Sequence, residues 1–272
     1  MFSIQDKVII VTGASSGIGR AAALLFASQG AHVVASARRS NELALLREQA
    51  KSFSGSIVDE PGDVTDEACH VRLVETAVRR FGCLNGAFNN AGTLGTSCPI
   101  TQMTREDWAV TLDTSLTSAM LAAKAQIPAM RNTGGSIVFT GSFVGVSKGM
   151  PAMSAYAASK AGLVGLVQVL AVEAASAGVR VNTIASGGVD TPMGRAAADT
   201  PEAMEFVRGL HALNRIASPE EIARVALFLL SDAASFVTGA SISADGGAAI
   251  NAYSIPSNST SNFNAAPPGI GP

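Results

Sequence analysis

The sequence predicts an α/β fold: one doubly wound, parallel sheet with helices on both faces. Two observations carry that expectation. Short apolar runs alternate with longer helical patterns along almost all of the 272 residues. The short runs also lack the in-and-out alternation of a strand with one wet face, which suits strands covered on both sides. Strands joined in this way close through right-handed crossovers, and the sheet is then parallel.

The elements follow in order. Residues 7–12 (KVIIVT) form the first expected strand, and 18–29 the first helix. A second strand over 32–37 (HVVASA) leads to a helix over 41–51. A weaker, shorter strand near 56–58 precedes a helix over 67–81. Strand 84–89 is followed by one long helix over 108–130, and strand 136–140 by a helix over 156–175. The last units are strand 180–184, helix 219–230 and strand 241–244. Between 187 and 218 lies an insertion punctuated by Gly and Pro, with a short helical stretch near 202–210. It follows a strand's carboxyl end, where open α/β sheets bind ligands. No linker, charge block or repeat divides the chain, so 1–250 reads as a single domain. From 251 to 272 the Asn, Ser and Pro content predicts a flexible tail.

Bulk composition excludes several function classes. Hydrophobic residues make up 47% and charged residues 15%, enough apolar material for a sizeable core. A net charge of −2 gives no basic field for nucleic acid or anionic lipid. Cys69, Cys83 and Cys98 lack metal-ligand spacing, and His32, His70 and His211 are scattered, so neither a metal site nor a disulfide framework is expected. The N-terminus reads as a strand rather than a secretory signal. No run approaches the ~20 apolar residues of a membrane span. A cytoplasmic protein is the expectation.

The first strand ends in Thr12-Gly13-Ala14-Ser15-Ser16-Gly17-Ile18-Gly19, and a helix follows. Glycines there let the backbone turn sharply and approach a pyrophosphate seated on the positive helix N-terminus. Strand before and helix after are the context that makes such a turn a dinucleotide site. Its spacing is TGxxxGxG, which resembles the short-chain dehydrogenase/reductase family. Further motifs carry the resemblance in order: Gly62-Asp63-Val64, Asn89-Asn90-Ala91-Gly92, Ser142, Tyr156-Ala157-Ala158-Ser159-Lys160, and the run SFVTGASISADGG. It covers everything but the tail. It implies a seven-stranded Rossmann-type sheet and a homotetramer or homodimer. It also implies that Asp63 bonds the adenine amino group, that Val64 packs on the ring, and that Asn90, Ala91 and Gly92 close over the cofactor.

The residues at the end of the second strand indicate which nicotinamide cofactor is preferred. A carboxylate there would accept from both ribose hydroxyls and repel a 2′-phosphate. This chain has Ala37 followed by Arg38 and Arg39. A guanidinium fork matches a phosphate, so NADP(H) is expected over NAD(H).

Tyr156 and Lys160, four apart at the opening of a helix, share one face. A tyrosine near its ordinary pKa of ~10 exchanges protons poorly at neutral pH, and a neighbouring ammonium is expected to pull it down. Ser142 follows the strand 136–140, and its hydroxyl can stabilise charge developing on a substrate oxygen. The resemblance implies that Lys160 also holds the nicotinamide ribose, and that Gly187, Val189 and Thr191 contact the nicotinamide from the following loop. The chain departs from the family twice. Ser115 stands where most members carry a relay asparagine, and Ser186-Gly187 stands for Pro-Gly.

Phe143, Val144, Met150, Met153, Met193 and His211 are the expected substrate pocket, an apolar and adaptable cavity. The expected activity is carbonyl or alcohol oxidoreduction of small-to-medium apolar molecules. A 3-oxoacyl-thioester reductase and a non-catalytic NADP(H)-sensing module are the alternatives.

Overall fold

A computed structural model describes residues 3–252. Seven strands, β1 (Val8–Thr12), β2 (His32–Ser36), β3 (Ser56–Asp59), β4 (Gly86–Asn89), β5 (Gly135–Ser142), β6 (Val179–Ser186) and β7 (Ser241–Ala244), form one sheet in the order β3-β2-β1-β4-β5-β6-β7. Every pairing is parallel. The chain winds outward from β1 through β2 to β3, then returns to place β4 on the other side of β1. That reversal opens a crevice at the strands' carboxyl ends.

The apolar runs divide between the two faces of the sheet. In β1, Ile9 and Val11 pack with α1 (Gly17–Ser28), α2 (Ser40–Gln49) and α9 (Pro219–Leu230), through Phe26, Leu43, Leu46, Ile222 and Leu230. Val8 and Ile10 face α3 (Glu67–Phe81), α5 (Ser118–Met130) and α6 (Ser154–Ala174), through Leu73, Ala123, Leu163 and Val167. Strand residues therefore alternate between two dry faces, and the alternation is invisible as a polarity pattern.

The expected helix over 108–130 is interrupted. Arg105–Leu112 form α4, Asp113–Thr117 make a π-type turn, and α5 resumes at Ser118. Hydroxyls compete with the helix ladder there. Thr114 Oγ1 donates to Val110 O at 2.8 Å and Ser118 Oγ to Thr114 O at 2.7 Å. The insertion after β6 holds two short helices, α7 (Pro192–Ala197) and α8 (Pro201–Gly209).

Against the expectation that no run reaches membrane-span length, Ser154–Ala177 is one by composition: 24 residues whose most apolar 18 have a mean hydropathy of 1.5. Its buried face, with Leu163, Val167, Ala171 and Ala174 a turn apart, packs on the sheet instead. Only Asn251 and Ala252 of the expected tail lie among the described residues. Asn251 is tied down: Lys148 Nζ donates to its carbonyl at 2.5 Å, and its Nδ2 lies 3.3 Å from the carbonyls of Gly209 and Leu210.

Candidate active site

The turn after β1 is built so that only glycine fits. Gly13 has φ +68°, and a Cβ there would lie 2.9 Å from Asn90 Nδ2 and 3.0 Å from Ala91 Cα. A Cβ on Gly19 would lie 2.4 Å from Gly13 O. Thr12 Oγ1 accepts from the amides of Asn90 and Ala91 at 3.0 and 3.1 Å. Thr140 Oγ1 donates to Asn90 Oδ1 at 3.1 Å. The ends of β1, β4 and β5 are thus stitched together, and the α1 N-terminus, which no side chain caps, opens onto the crevice.

A cleft of about 500 Å³ runs along these strand ends. Gly13, Ser15, Ser16, Gly17 and Ile18 form its phosphate end, with Arg38, Arg39, Asp63 and Val64 beside them. Arg39 reaches back over the turn: its Nη2 lies 2.9 Å from both Ser15 Oγ and Ser16 Oγ. Asp63 Oδ1 accepts from the amide and hydroxyl of Thr65 at 2.9 and 2.8 Å, and the amide bond most of all holds its carboxyl below the usual range. Asn90, Ala91 and Gly92 form the middle of the cleft, and Gly187, Val189 and Thr191 the far wall. Gly19 does not line the cleft; its role is the close packing of α1 against the turn.

Ser142 ends β5, and Tyr156 and Lys160 project from the first turns of α6. The Ser142 hydroxyl lies close enough to the Tyr156 phenol to act on it, and it accepts from the Val144 amide at 3.1 Å. Lys160 Nζ sits 5.6 Å from the Tyr156 ring centroid and donates to Thr140 O at 2.6 Å. The expectation that the ammonium pulls the phenol down is not what dominates here. Burial pushes the Tyr156 phenol up, with the Ser142 hydroxyl opposing it. Burial also pushes the Lys160 ammonium down to about 8. Burial disfavours the charged form of both groups for one reason, removal from water.

Phe143, Val144, Met150, Met153 and Met193 line the apolar end. His211, expected with them, lies behind the wall and is 3% exposed. Its Nε2 accepts from the Gly188 amide at 2.8 Å, and its Nδ1 donates to Val207 O at 2.8 Å. Both ring nitrogens are thereby committed to the backbone of the post-β6 loop. Ser115 also lies outside the cleft. Its Oγ lies 3.3 Å from both the amide and the carbonyl of Thr93, and it lines a small chamber behind Lys160. Ser186, the other departure, donates from Oγ to Gly141 O at 3.3 Å.

Among the lining residues outside the sequence motifs are Thr93, Leu94, Thr114, Val207 and Leu210. Val207 and Leu210 are an i, i+3 apolar pair in the insertion, which was the available signal for them. Thr93 and Thr114 carry none.

The fold and the cleft define a dinucleotide-binding α/β enzyme. A family model described as "Enoyl-(Acyl carrier protein) reductase" matches residues 13–249. The chain belongs to the short-chain dehydrogenase/reductase family. It is 37% identical over 249 residues to a 3-oxoacyl-[acyl-carrier-protein] reductase of Thermotoga maritima, covering 91% of this chain and 99% of that one. It is also 37% identical over 243 residues to a cyclohexanol dehydrogenase of an Acinetobacter species, covering 89% and 94%. Among solved structures, levodione reductase superposes with a TM-score of 0.86 at 33% identity, covering 90% of this chain and 98% of that one. A short-chain type dehydrogenase/reductase from Mycobacterium ulcerans gives 0.88 at 34% identity, covering 92% of each. The protein is an oxidoreductase of a nicotinamide-using family.

Proposed function

We propose that the protein moves a hydride between NADP(H) and the carbonyl or secondary alcohol carbon of a small-to-medium apolar molecule. The observation that carries this reading is the Ser142–Tyr156–Lys160 group, set where the cleft turns from polar to apolar. The glycine turn, the open α1 N-terminus and a cleft of about 500 Å³ fit a nicotinamide dinucleotide. When bound, that group supplies or accepts the hydride. Tyr156 holds the proton at Oη, and the burial that raises its phenol keeps that proton in place until the substrate oxygen gains charge. Ser142 Oγ, beside the phenol, orients and stabilises the same oxygen. Lys160 is fixed by Thr140 O, beside the phenol and within reach of a ribose at the cleft floor.

The phosphate preference is supported by Ala37, which puts no carboxylate at the end of β2, and by Arg38 and Arg39 at the cleft. Ser115 is the candidate to hold a relay water behind Lys160. The apolar wall and the cyclohexanol dehydrogenase relative support a ketone or alcohol substrate. The Thermotoga relative supports a second reading, a 3-oxoacyl-thioester reductase. Unpaired Cys69, Cys83 and Cys98 support a cytoplasmic setting, and exposed Val169, Val172 and Phe236 support a homo-oligomer.

Steady-state kinetics test the reading. NADPH should give the higher kcat/KM, and equal or better efficiency with NADH overturns the preference. Tyr156→Phe should nearly abolish turnover of a ketone panel while NADPH affinity stays close to wild type. A variant keeping a tenth of the turnover has lost only about 1.4 kcal/mol of barrier lowering, too little for the acid.

A further inference from the structure

His70 sits on the buried face of α3, where Cys69, Leu73 and Ala77 are its buried companions. It is 2% exposed. Its Nε2 lies 2.8 Å from Val64 O, an acceptor only, so the proton of the ring is on Nε2. Nδ1 is then a bare acceptor. No described protein atom bonds it, although it is fully buried. Buried polar atoms are as a rule paired with protein or with ordered water.

The ring lines the chamber behind Lys160, whose volume is about 10 Å³. That is room for a single water. The other polar walls are Thr12, Asn89, Ser115, Ser118, Thr140 and Lys160. Ser115, Ser118 and Thr140 spend their hydroxyl protons on Thr93 O, Thr114 O and Asn90 Oδ1, so none of them can donate to Nδ1. Lys160 spends one of its three donors on Thr140 O. A histidine with a bare acceptor and a lysine with donors to spare thus line one water-sized space.

We propose that this chamber binds one structural water, which donates to His70 Nδ1 and accepts from Lys160 Nζ, making His70 a positioning residue for Lys160. The water completes two otherwise incomplete groups at once. Through Nε2 and Val64 O, the same ring ties Lys160 to the loop after β3 that carries Asp63 and Val64. His70 does not touch substrate; it acts through Lys160. The inference rests on the proposed oxidoreductase reading for its catalytic consequence only. Burial holds His70 below the ordinary histidine range and so keeps Nδ1 bare. The charges acting on it are Asp66 and Glu67 at the start of its own helix, the latter paired with Lys124 of α5 at 2.6 Å, and Lys160 of α6 lines the same chamber.

The test uses the full chain with NADPH bound. A crystal structure should show one water within about 3.2 Å of both His70 Nδ1 and Lys160 Nζ. An empty chamber, or a water bonded to neither, overturns the proposal whether or not any ketone is turned over. His70→Leu removes the acceptor, and kcat should fall about tenfold, with the acid limb of its pH profile displaced and NADPH affinity close to wild type. His70→Gln, which can accept again, should restore part of both. Should the leucine variant not fold, the glutamine variant and the wild-type water decide. A leucine variant that is less stable but has the wild-type kcat and pH profile reduces His70 to a core residue and overturns the proposal.

Discussion

Burial moves the Lys160 ammonium from 10.5 down to about 8. Between those values the unfolded chain binds more protons than the folded one, so stability rises with pH across that window. Below pH 8 the whole penalty is present, on the order of 3 kcal/mol. Lys160→Met should therefore raise the Tm of the cofactor-free protein at pH 7, less about 1 kcal/mol for the donor that Thr140 O loses. The gain should shrink between pH 8 and 10.5. A pH-independent difference would show that the buried charge costs nothing. Tyr156 and Lys160 were legible in the sequence because their partnership is local, one helical turn apart. The surroundings of Ser115 and His211 were not, because their partners are fixed by packing. Ser115 bonds Thr93, 22 positions away, and His211 bonds Gly188, 23 positions away. The direction of the Tyr156 shift was missed for the same reason, since burial cannot be read from a four-residue spacing.

Helix α9 shows how one element depends on its first turn. Glu221 accepts from the Ser218 amide at 2.8 Å and from both Arg215 guanidinium nitrogens at 2.8 and 2.7 Å. The Arg215 bonds, chiefly, hold its carboxyl down at about 2. A depressed acid stabilises the fold above its unfolded pKa of 4.5, and that contribution is lost as pH falls towards 2. Glu221→Ala should lower Tm by roughly 2–4 °C at pH 7, as for a helix cap worth about 1 kcal/mol. Near pH 2 the two proteins should melt together; a constant gap would mean that packing, not the cap, was lost. The start of α9 was readable from Ser218 and Pro219. The break between α4 and α5 was not, because each hydroxyl in Asp113–Thr117 is compatible with a helix and only the summed competition opens the turn.

At the scale of the whole molecule, the cleft takes its walls from both halves of the sheet. Arg39 and Asp63 come from the β2 and β3 side, Ser142 and Val189 from the β5 and β6 side. A ligand spanning it binds only the folded chain. At a hundredfold excess over Kd, NADPH should stabilise the protein by about 2.7 kcal/mol, roughly 5–10 °C in Tm. Thermal melting with and without NADPH checks this, and an unchanged Tm would mean that the two halves are not bridged. Parallel strands made this arrangement foreseeable, since every strand ends on the same side. The fastening of Asn251 adds a practical geometry. Residues ahead of Val8 emerge at the opposite rim of the sheet, on the side where Lys7 pairs with Asp232 at 2.6 Å. Asn251, by contrast, is held between the loop after β5 and the end of α8, beside the apolar mouth. A surface linker or fusion partner attached ahead of Val8 leaves the mouth clear, whereas one attached just after Asn251 starts at its edge and competes with incoming molecules for the same approach.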